Sequence, residues 1–380
     1  MPPPLSRGIE GDSKGENMNY TQSAVYKHLE KLVSFDTQNP PRRINSESEI
    51  FCYLRNNLPG FEFKTIDAGD GCLSLLAERG CPNLLFNFHI DTVPIADGWD
   101  SNPHQLIEKN GKLVGLGACD IKGASACMLS AVNKQSGDIA LLFSSDEEHG
   151  SSQAIKKFLT TNHGYKKVVV AEPTQTKAVV AHRGIQTATA LFDGIPGHAS
   201  EARALTDNAI HKAGNWITLA TKWIKEQTTK VENLKGLPFN IGAIEGGVKA
   251  NMIASKCELK FGFRPLPGQD SKIVLDDLAG LIDEPNSPTI QPGFFGPCLP
   301  AANQEFEQSM TSAKDLASSL GIESGNAVNF WTEASLFSQA GFTAFVFGPG
   351  DIAQAHTANE WVAIEQLQQV EDTYINILNM

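Results

Sequence analysis

Three short apolar segments of this chain each lead directly into acids or a histidine. The segments are LLFNF before His89-Ile90-Asp91, LLFSS before Asp146-Glu147-Glu148, and VVVA before Glu172. Apolar strands that alternate with helices are typical of an α/β domain with a largely parallel central sheet. Because parallel strands end at one edge of such a sheet, we expect the polar residues that follow them to lie close together.

The periodicity of apolar residues predicts two interleaved units. Up to residue 182, the predicted helices are 18–35, 47–58, 120–133 and 151–160, and the predicted strands are 61–67, 72–78, 83–90, 139–145 and 167–171. A β-α-β-β-α unit follows, with elements at 185–193, 202–226, 239–246, 256–264 and 270–282. A Pro- and Gly-rich connection, 285–300, then leads to a helix at 304–320, a strand at 343–347 and a helix at 364–378. We therefore predict an α/β domain of residues 18–182 and 293–380, interrupted by an α+β domain at residues 183–292.

Size, charge and cysteine usage limit the kind of partner. A chain of 380 residues exceeds one ordinary domain, and a formal net charge of −12 does not provide the basic surface that nucleic acids require. No apolar run is long enough to cross a bilayer. The seven cysteines are scattered and form no C-x-x-C pair, which is typical of a reducing compartment. We therefore predict a cytoplasmic protein without a nucleic-acid or membrane partner.

The first 17 residues, MPPPLSRGIEGDSKGEN, are rich in Pro, Gly and charge and have no apolar core. They are predicted to be a tag remnant or a disordered leader rather than a signal peptide. Met18 is then the predicted natural start of the protein.

Each of these polar positions, taken alone, has a simple structural alternative. His89 and Asp91 form an H-x-D pair at a strand end, which alone is more typical of a hydrogen-bonded structural histidine. Asp120 in GLGACDIKG would in isolation be interpreted as a helix N-cap, although its flexible glycines also suit a carboxylate that must reach two cations. The same glycines resemble a dinucleotide-binding fingerprint. However, Asp120 replaces the third glycine, and no strand-to-helix turn is evident.

The remaining polar positions follow strands in the same way. Asp146, Glu147 and Glu148 repel one another, and at a buried strand end a cation or protonation must offset that repulsion. Glu172 ends an apolar strand, and His356 lies in the Gly-rich loop GPGDIAQAHTANEW after another. Two histidines and three or four acids form a mixed ligand set that suits two zinc-like ions bridged by a carboxylate. Such ions make bound water nucleophilic, and a neighbouring carboxylate moves its proton.

The motifs HIDTVP, GLGACDIKG, SSDEE, AEPT and GDIAQAH also carry a family resemblance. In their order and spacing, from about Met18 to the C-terminus, the chain resembles the co-catalytic zinc family of aminoacylases, acetylornithine deacetylases and glutamate carboxypeptidases of the carboxypeptidase G type. The segments LVSFDTQNPPR, FNIGAIEGGVKANMIA and NFWTEASLF are most similar to acetylornithine and N-acetylcitrulline deacetylases. The resemblance implies a zinc-peptidase-like catalytic domain with a mostly parallel sheet, interrupted by a ferredoxin-like lid and dimerisation domain.

The resemblance further implies which residues hold the metal. Asp120 would bridge two zinc ions, for which cobalt or manganese are substitutes. The other implied ligands are His89 and Glu172 for one ion, and Glu148 and His356 for the other.

Catalytic and substrate-binding roles are implied in the same way. Glu147 matches the general base of the family, and Asp91 matches the residue that orients the neighbouring histidine ligand. In the lid, His198 matches a histidine that reaches the active site of the partner subunit and stabilises the oxyanion. Asn251 and Arg264 match lid positions that hold the substrate carboxylate or carbonyl.

The implied function is that of a homodimeric, zinc-dependent amidohydrolase. Its substrate would be a small N-acetyl-L-amino acid, N-acetylornithine or N-acetylcitrulline, cleaved to acetate and the free amino acid in arginine biosynthesis. The ligand set equally fits another aminoacylase, a dipeptidase, a carboxypeptidase or a succinyl-diaminopimelate desuccinylase, because specificity lies in the pocket and the lid. A non-catalytic, metal-containing binding protein is an alternative from a different class.

Overall fold

The structure, a computed structural model, describes residues 20–41, 44–161, 163–283, 286–301 and 305–380. The predicted leader at 1–17 and the predicted start at Met18 lie outside these described residues.

The strands are β1 Glu62–Asp67, β2 Leu73–Arg79, β3 Leu84–His89, β4 Ile107–Lys109, β5 Lys112–Val114, β6 Ile139–Ser144, β7 Lys167–Val170, β8 Ile185–Asp193, β9 Lys230–Val231, β10 Leu234–Lys235, β11 Phe239–Gly246, β12 Lys256–Phe263, β13 Thr289–Gly296, β14 Thr343–Val346 and β15 Trp361–Ala363. The α-helices are α1 Ala24–Ser34, α2 Glu49–Asn56, α3 Gly123–Lys134, α4 Gln153–Leu159, α5 Ala209–Glu226, α6 Ser271–Ala279, α7 Phe306–Ser319, α8 Ala334–Gln339 and α9 Ile364–Leu378. Within the described ranges, no helix has both the length and the apolar character needed to span a membrane.

The central sheet has the strand order β1-β2-β6-β3-β7-β14. β6, β3, β7 and β14 run parallel to one another, whereas β1 and β2 are antiparallel to their neighbours. Alternate residues enter opposite cores: Phe86 and Phe88 pack in the core of α1, α3 and α9, and Leu85 and Val168 pack in the core of α4 and α8. Because both faces are buried, these strands are mostly apolar. The predicted α/β domain with a mostly parallel sheet is therefore confirmed.

The inserted unit contains a second sheet, with the order β11-β12-β8-β13 and antiparallel pairing throughout. Helices α5 and α6 pack against one face of this sheet around the fully buried Trp216 and Leu278. Along the chain the elements are β8-α5-β11-β12-α6-β13, which is the ferredoxin-like order. The short strands β9 and β10 form a separate two-stranded sheet between α5 and β11. The α+β fold predicted for this unit is confirmed, and its four-stranded sheet has one strand more than the sequence indicated.

That additional strand is β13, in the stretch interpreted as a Pro- and Gly-rich connection. The prediction of an irregular connection was wrong, because proline is accepted in a strand at the edge of a sheet, where not every N–H needs a partner. Pro292 lies opposite Ala188 of β8, and the register shifts between Pro292 and Phe295. The predicted domain boundary after residue 292 lies inside this strand.

The single long helix predicted at 202–226 is also wrong. The structure has a 3-10 helix at Ala202–Leu205 and a separate α5 from Ala209. The side chain of Asn208 accepts a hydrogen bond from the Ile210 N–H at 2.9 Å and so caps α5. A capping asparagine defines a helix start, which the apolar periodicity alone did not indicate.

The very short strands were missed by the sequence analysis. β4, β5 and β15 form a small sheet in the order β15-β5-β4. Strands of three residues are too short to show an alternating pattern. Because Trp361–Ala363 pairs with Lys112–Val114, the loop before β15 lies beside the loop after β5.

Candidate metal centre

The five residues predicted to bind metal come together where β3, β6 and β7 end. His89 is the last residue of β3, Glu148 follows β6 and Glu172 follows β7. Asp120 lies in an irregular turn before α3, and His356 lies in the loop before β15. The sequence therefore correctly predicted that residues from distant segments meet at this edge of the sheet.

Asp120 lies between the two histidines and turns one carboxylate oxygen toward each. Its Oδ1 is 3.0 Å from His89 Nε2, and its Oδ2 is 3.3 Å from His356 Nε2. Each histidine also faces a glutamate: His89 Nε2 is 3.9 Å from Glu172 Oε1, and His356 Nε2 is 3.1 Å from Glu148 Oε1. Potential ligand atoms of His89, Asp120 and Glu148 all lie within 4.8 Å of one another. Two histidine–glutamate pairs thus share one aspartate, as a carboxylate-bridged pair of ions requires.

The turn that carries Asp120 differs from the predicted helix at 120–133. The regular helix α3 begins only at Gly123, and Asp120 has a non-helical backbone with φ −121° and ψ 87°. Gly117 precedes the turn in the left-handed region, at φ 76°, where glycine is favoured. Asp120 is therefore not an N-cap, and its carboxylate points toward the two histidines rather than toward its own helix.

Glu360 holds this turn and was missed by the sequence analysis. Its carboxylate accepts hydrogen bonds from the N–H groups of Gly117 at 2.9 Å, Cys119 at 2.8 Å and Asp120 at 3.0 Å. Burial, followed by the charge of Asp120, raises the pKa of Glu360 to about 7. In sequence, an acid in the loop segment ANEW is indistinguishable from an ordinary solvated acid.

Asp91 contacts His89 more closely through its backbone carbonyl than through its carboxylate. His89 Nδ1 lies 3.0 Å from the backbone carbonyl oxygen of Asp91 and 3.6 Å from its carboxylate Oδ1. The carboxylate is instead engaged by the N–H groups of Glu147 and Glu148, at 3.3 Å and 3.1 Å, and by the side-chain amide of Asn39 at 3.2 Å. Asp91 therefore joins the end of β3 to the loop after β6 that carries both glutamates.

A second buried acid, Glu333, lies immediately before α8 and joins the same two strands. Its Oε2 accepts hydrogen bonds from the Asn87 side chain of β3 and the Ser144 hydroxyl of β6, both at 3.0 Å. Burial, followed by the charge of Asp146, raises the pKa of Glu333 to about 7. The segment NFWTEASLF contributed to the family resemblance, but its glutamate has no sequence feature that distinguishes it from a helix-cap acid.

The site has an excess of negative charge that fits cations. Burial and then neighbouring carboxylates raise the pKa values of Glu147 and Glu172 well above the ordinary range. Hydrogen bonds to Asp120 and Glu148 raise the pKa of His356 to about 11. Burial opposes protonation of His89, but its contacts with Asp120 and Asp91 outweigh burial and raise its pKa. With imidazole and carboxylate donors around one point, the residues present fit a pair of divalent ions.

The predicted lid residues do not contact this cluster in the single chain. His198 Nδ1 forms a 2.8 Å hydrogen bond with Ser200, and Asn251 is exposed. Arg264 lines a cavity of about 550 Å³ in the lid, and burial lowers the pKa of its guanidinium. Among the described residues, no hydrogen bond or ion pair joins any of these three to the five clustered residues. Their roles stay predictions.

The fold and this cluster define the class of protein. Residues 85–380 match the sequence profile of Peptidase family M20/M25/M40, and the chain belongs to this family of metal-dependent hydrolases. It is 48% identical over 359 residues to the N-acetyl-L-citrulline deacetylase of Xanthomonas campestris pv. campestris. This alignment covers 94% of this chain and 98% of the relative. It is 30% identical over 374 residues to the acetylornithine deacetylase of Myxococcus xanthus, covering 93% of this chain and 96% of the relative.

A solved structure supports the same fold. The Bacillus subtilis YXEP protein, described as a dinuclear metal binding peptidase from the M20 family, superimposes with a TM-score of 0.65 at 14% identity. The match covers 93% of this chain and 96% of that protein. At this identity the similarity concerns the fold alone, and it includes both the central sheet and the inserted unit.

Proposed function

We propose that this protein hydrolyses the amide of N-acetyl-L-citrulline to acetate and L-citrulline, as a step of arginine biosynthesis. The observation that carries the proposal is the 48% identity to an N-acetyl-L-citrulline deacetylase over nearly the whole of both chains. N-acetyl-L-ornithine is the second candidate, because acetylornithine deacetylases match at 30% identity over most of the chain. None of the seven cysteines, all of which lie in the described residues, forms a disulfide, which supports a reducing, cytoplasmic location.

The proposed cofactor is a pair of zinc ions, with cobalt or manganese as substitutes. Asp120 would bridge the pair, and the paired contacts around it support the assignment of His89 with Glu172, and of Glu148 with His356. When bound, such ions lower the pKa of a coordinated water and polarise the amide carbonyl.

Glu147 is proposed to carry the proton. It follows the same strand as the ligand Glu148, and its raised pKa indicates a carboxylate that holds a proton readily. Its carboxylate first accepts a proton from the attacking water. The resulting hydroxide oxygen adds to the amide carbonyl carbon, and the same proton passes from Glu147 to the amide nitrogen as the C–N bond breaks, so that acetate and the free amino acid leave and Glu147 returns to its starting state.

Lid residues are proposed to bind the acylated amino acid. Among the described residues no carboxylate pairs with Arg264, so its guanidinium is available for the α-carboxylate of the substrate, a planar anion that suits its geometry. Asn251 is assigned to the carbonyl or carboxylate of the substrate. These assignments rest on the family resemblance of the lid.

A substrate panel tests the proposed function. Zinc-loaded protein should release acetate from N-acetyl-L-citrulline faster than from N-acetyl-L-ornithine or N-acetyl-L-methionine, and should cleave a dipeptide and N-succinyl-diaminopimelate poorly. The control is the same protein after chelation, which should release no acetate until zinc is restored. Preference for the dipeptide or the succinyl substrate, or equal activity after chelation, would contradict the proposal.

The lid is further proposed to form a homodimer in which each active site uses His198 of the partner subunit. His198→Ala should then lower turnover without lowering zinc content, because it removes an oxyanion donor and no metal ligand. In a one-to-one mixture of His198→Ala and Glu147→Gln chains, half of the dimers are mixed and one site in each mixed dimer is intact. Activity should therefore recover to about a quarter of the wild-type value after subunit exchange.

The matched control for this mixture pairs two defects that lie in the same site. Glu147→Gln mixed with Asp120→Ala should show no recovery, because every site then contains a damaged residue from its own chain. Absence of recovery in the His198→Ala mixture, with mixed dimers demonstrated by two affinity tags, would exclude the shared site.

A further inference from the structure

We propose that Glu360 is a positioning residue that sets the backbone of Asp120, and thereby the geometry and affinity of the metal pair. The proposal rests on the metal centre proposed above. It assigns a role to an acid that is not itself a ligand, since its carboxylate is directed to peptide N–H groups and not toward the cluster of histidines and glutamates.

The contacts of Glu360 are concentrated on one turn. The residue is 2% exposed. Oε1 accepts hydrogen bonds from the N–H groups of both Cys119 and Asp120, and Oε2 accepts one from the N–H of Gly117. One carboxylate therefore satisfies donors from three of four consecutive residues, the last of which is the proposed bridging ligand.

The turn needs such an acceptor because it is not a regular element. Ala118–Lys122 contains non-helical dihedral angles at Asp120 and Ile121, so its N–H groups are not all used by helical bonding. Buried N–H groups without an acceptor are costly, and successive N–H groups that converge form a site for an anion. Without Glu360, the turn would have to rearrange to satisfy these donors, and the carboxylate of Asp120 would move with it.

Glu360 also connects two proposed ligands, Asp120 and His356, that come from different parts of the chain. His356 lies four residues earlier in the same loop and contacts Asp120 Oδ2 at 3.3 Å from the side of the cluster. The backbone carbonyl of Glu360 accepts a hydrogen bond from the Gly115 N–H at 3.0 Å, next to the pairing of β15 with β5. The side chain of Asn359 accepts a hydrogen bond from the Asp100 N–H at 2.9 Å. The loop before β15 thus contacts Asp120 twice: Glu360 binds its backbone N–H, and His356 contacts its carboxylate.

The test measures metal binding and the turn itself, without substrate. Glu360→Gln replaces one acceptor oxygen by an NH2 group, which cannot accept from peptide N–H groups. Zinc affinity, measured by competition with a colorimetric chelator, should fall about 10- to 100-fold, as for other residues that support metal ligands. In the metal-free protein, amide hydrogen exchange in a peptide covering 117–120 should become faster, whereas exchange in β3 and β6 should not change.

The matched control is Glu371→Gln. Glu371 lies on α9 and accepts hydrogen bonds from Lys134 and Ser130 of α3, so the same chemical change is made away from the turn. It should leave zinc affinity and exchange at 117–120 at wild-type values. An equal loss of affinity in Glu371→Gln would show a general effect on packing and would overturn the proposal.

Two further results would also overturn the proposal. The first is wild-type zinc affinity in Glu360→Gln, and the second is weaker affinity without faster exchange at 117–120. If Glu360→Gln does not fold, Glu360→Asp replaces it. This variant keeps the charge, but its side chain is one methylene shorter, so it should still bind zinc more weakly than the wild type. Wild-type zinc affinity in Glu360→Asp would contradict the proposal. Because no arm uses an amide substrate, failure of the proposed deacetylation leaves this result interpretable.

Discussion

Glu147→Gln is expected to lower acetate release by about 10²–10⁴-fold while the protein keeps its zinc. Glutamine has nearly the same size as glutamate but cannot take a proton from water at neutral pH. The backbone N–H of residue 147, which donates to Asp91 Oδ1 at 3.3 Å, is unchanged by the substitution. The loop after β6 should therefore keep its position, so that the loss concerns proton transfer alone.

The neighbouring glutamate supplies the comparison for this variant. Glu148→Gln makes the same chemical change one residue later, at the acid whose Oε1 lies 3.1 Å from His356 Nε2. It should weaken metal binding, and added zinc should restore part of its activity, whereas added zinc should not help Glu147→Gln. Zinc content by elemental analysis and steady-state rates at several zinc concentrations separate the two. Loss of zinc in Glu147→Gln would make that residue a ligand, and near-normal turnover would exclude it as the proton carrier.

The convergence of the proposed ligands was predictable because it depends on the order and direction of the strands more than on their exact limits. Residues His89, Glu148 and Glu172 follow parallel strands, and parallel strands end at the same edge whatever their exact register. The strand limits were therefore not needed to place these side chains together. His356 lies much farther along the chain, in the Gly-rich loop after the parallel strand β14, and the motif order of the family supported grouping it with the others.

The supporting residues were not predictable, because their partners are backbone groups in distant turns. Glu360 binds N–H groups about 240 residues earlier in the chain, and Glu333 joins Asn87 to Ser144. No residue type or spacing in the sequence marks a peptide N–H that will need an acceptor. The irregular turn at Asp120 was missed for the same reason, since the small apolar residues after it favour a helix that in fact begins three residues later.

The largest effect is expected at the shared aspartate. Asp120→Ala should reduce acetate release to the level of the chelated protein, a greater loss than the ~10²–10⁴-fold expected for a proton carrier alone. The reason is geometric: Oδ1 of Asp120 faces His89 Nε2 at 3.0 Å and Oδ2 faces His356 Nε2 at 3.3 Å. Removing this carboxylate takes one oxygen donor from each of the two proposed ion sites, so both ions should be lost together.

A graded series distinguishes a bridging ligand from an ordinary one. Glu172→Gln alters an acid that, among the described residues, forms an ion-pair contact with His89 alone, at 3.9 Å, and should therefore weaken one ion while the other stays bound. Each metal-free protein is titrated with zinc in a calorimeter. The titration should show two sites in the wild type, one intact site in Glu172→Gln and neither site in Asp120→Ala. Thermal unfolding in chelator should confirm that the metal-free Asp120→Ala protein is folded. Two intact sites in this folded variant would show that Asp120 does not bridge the ions, since a shared donor cannot be removed without affecting both.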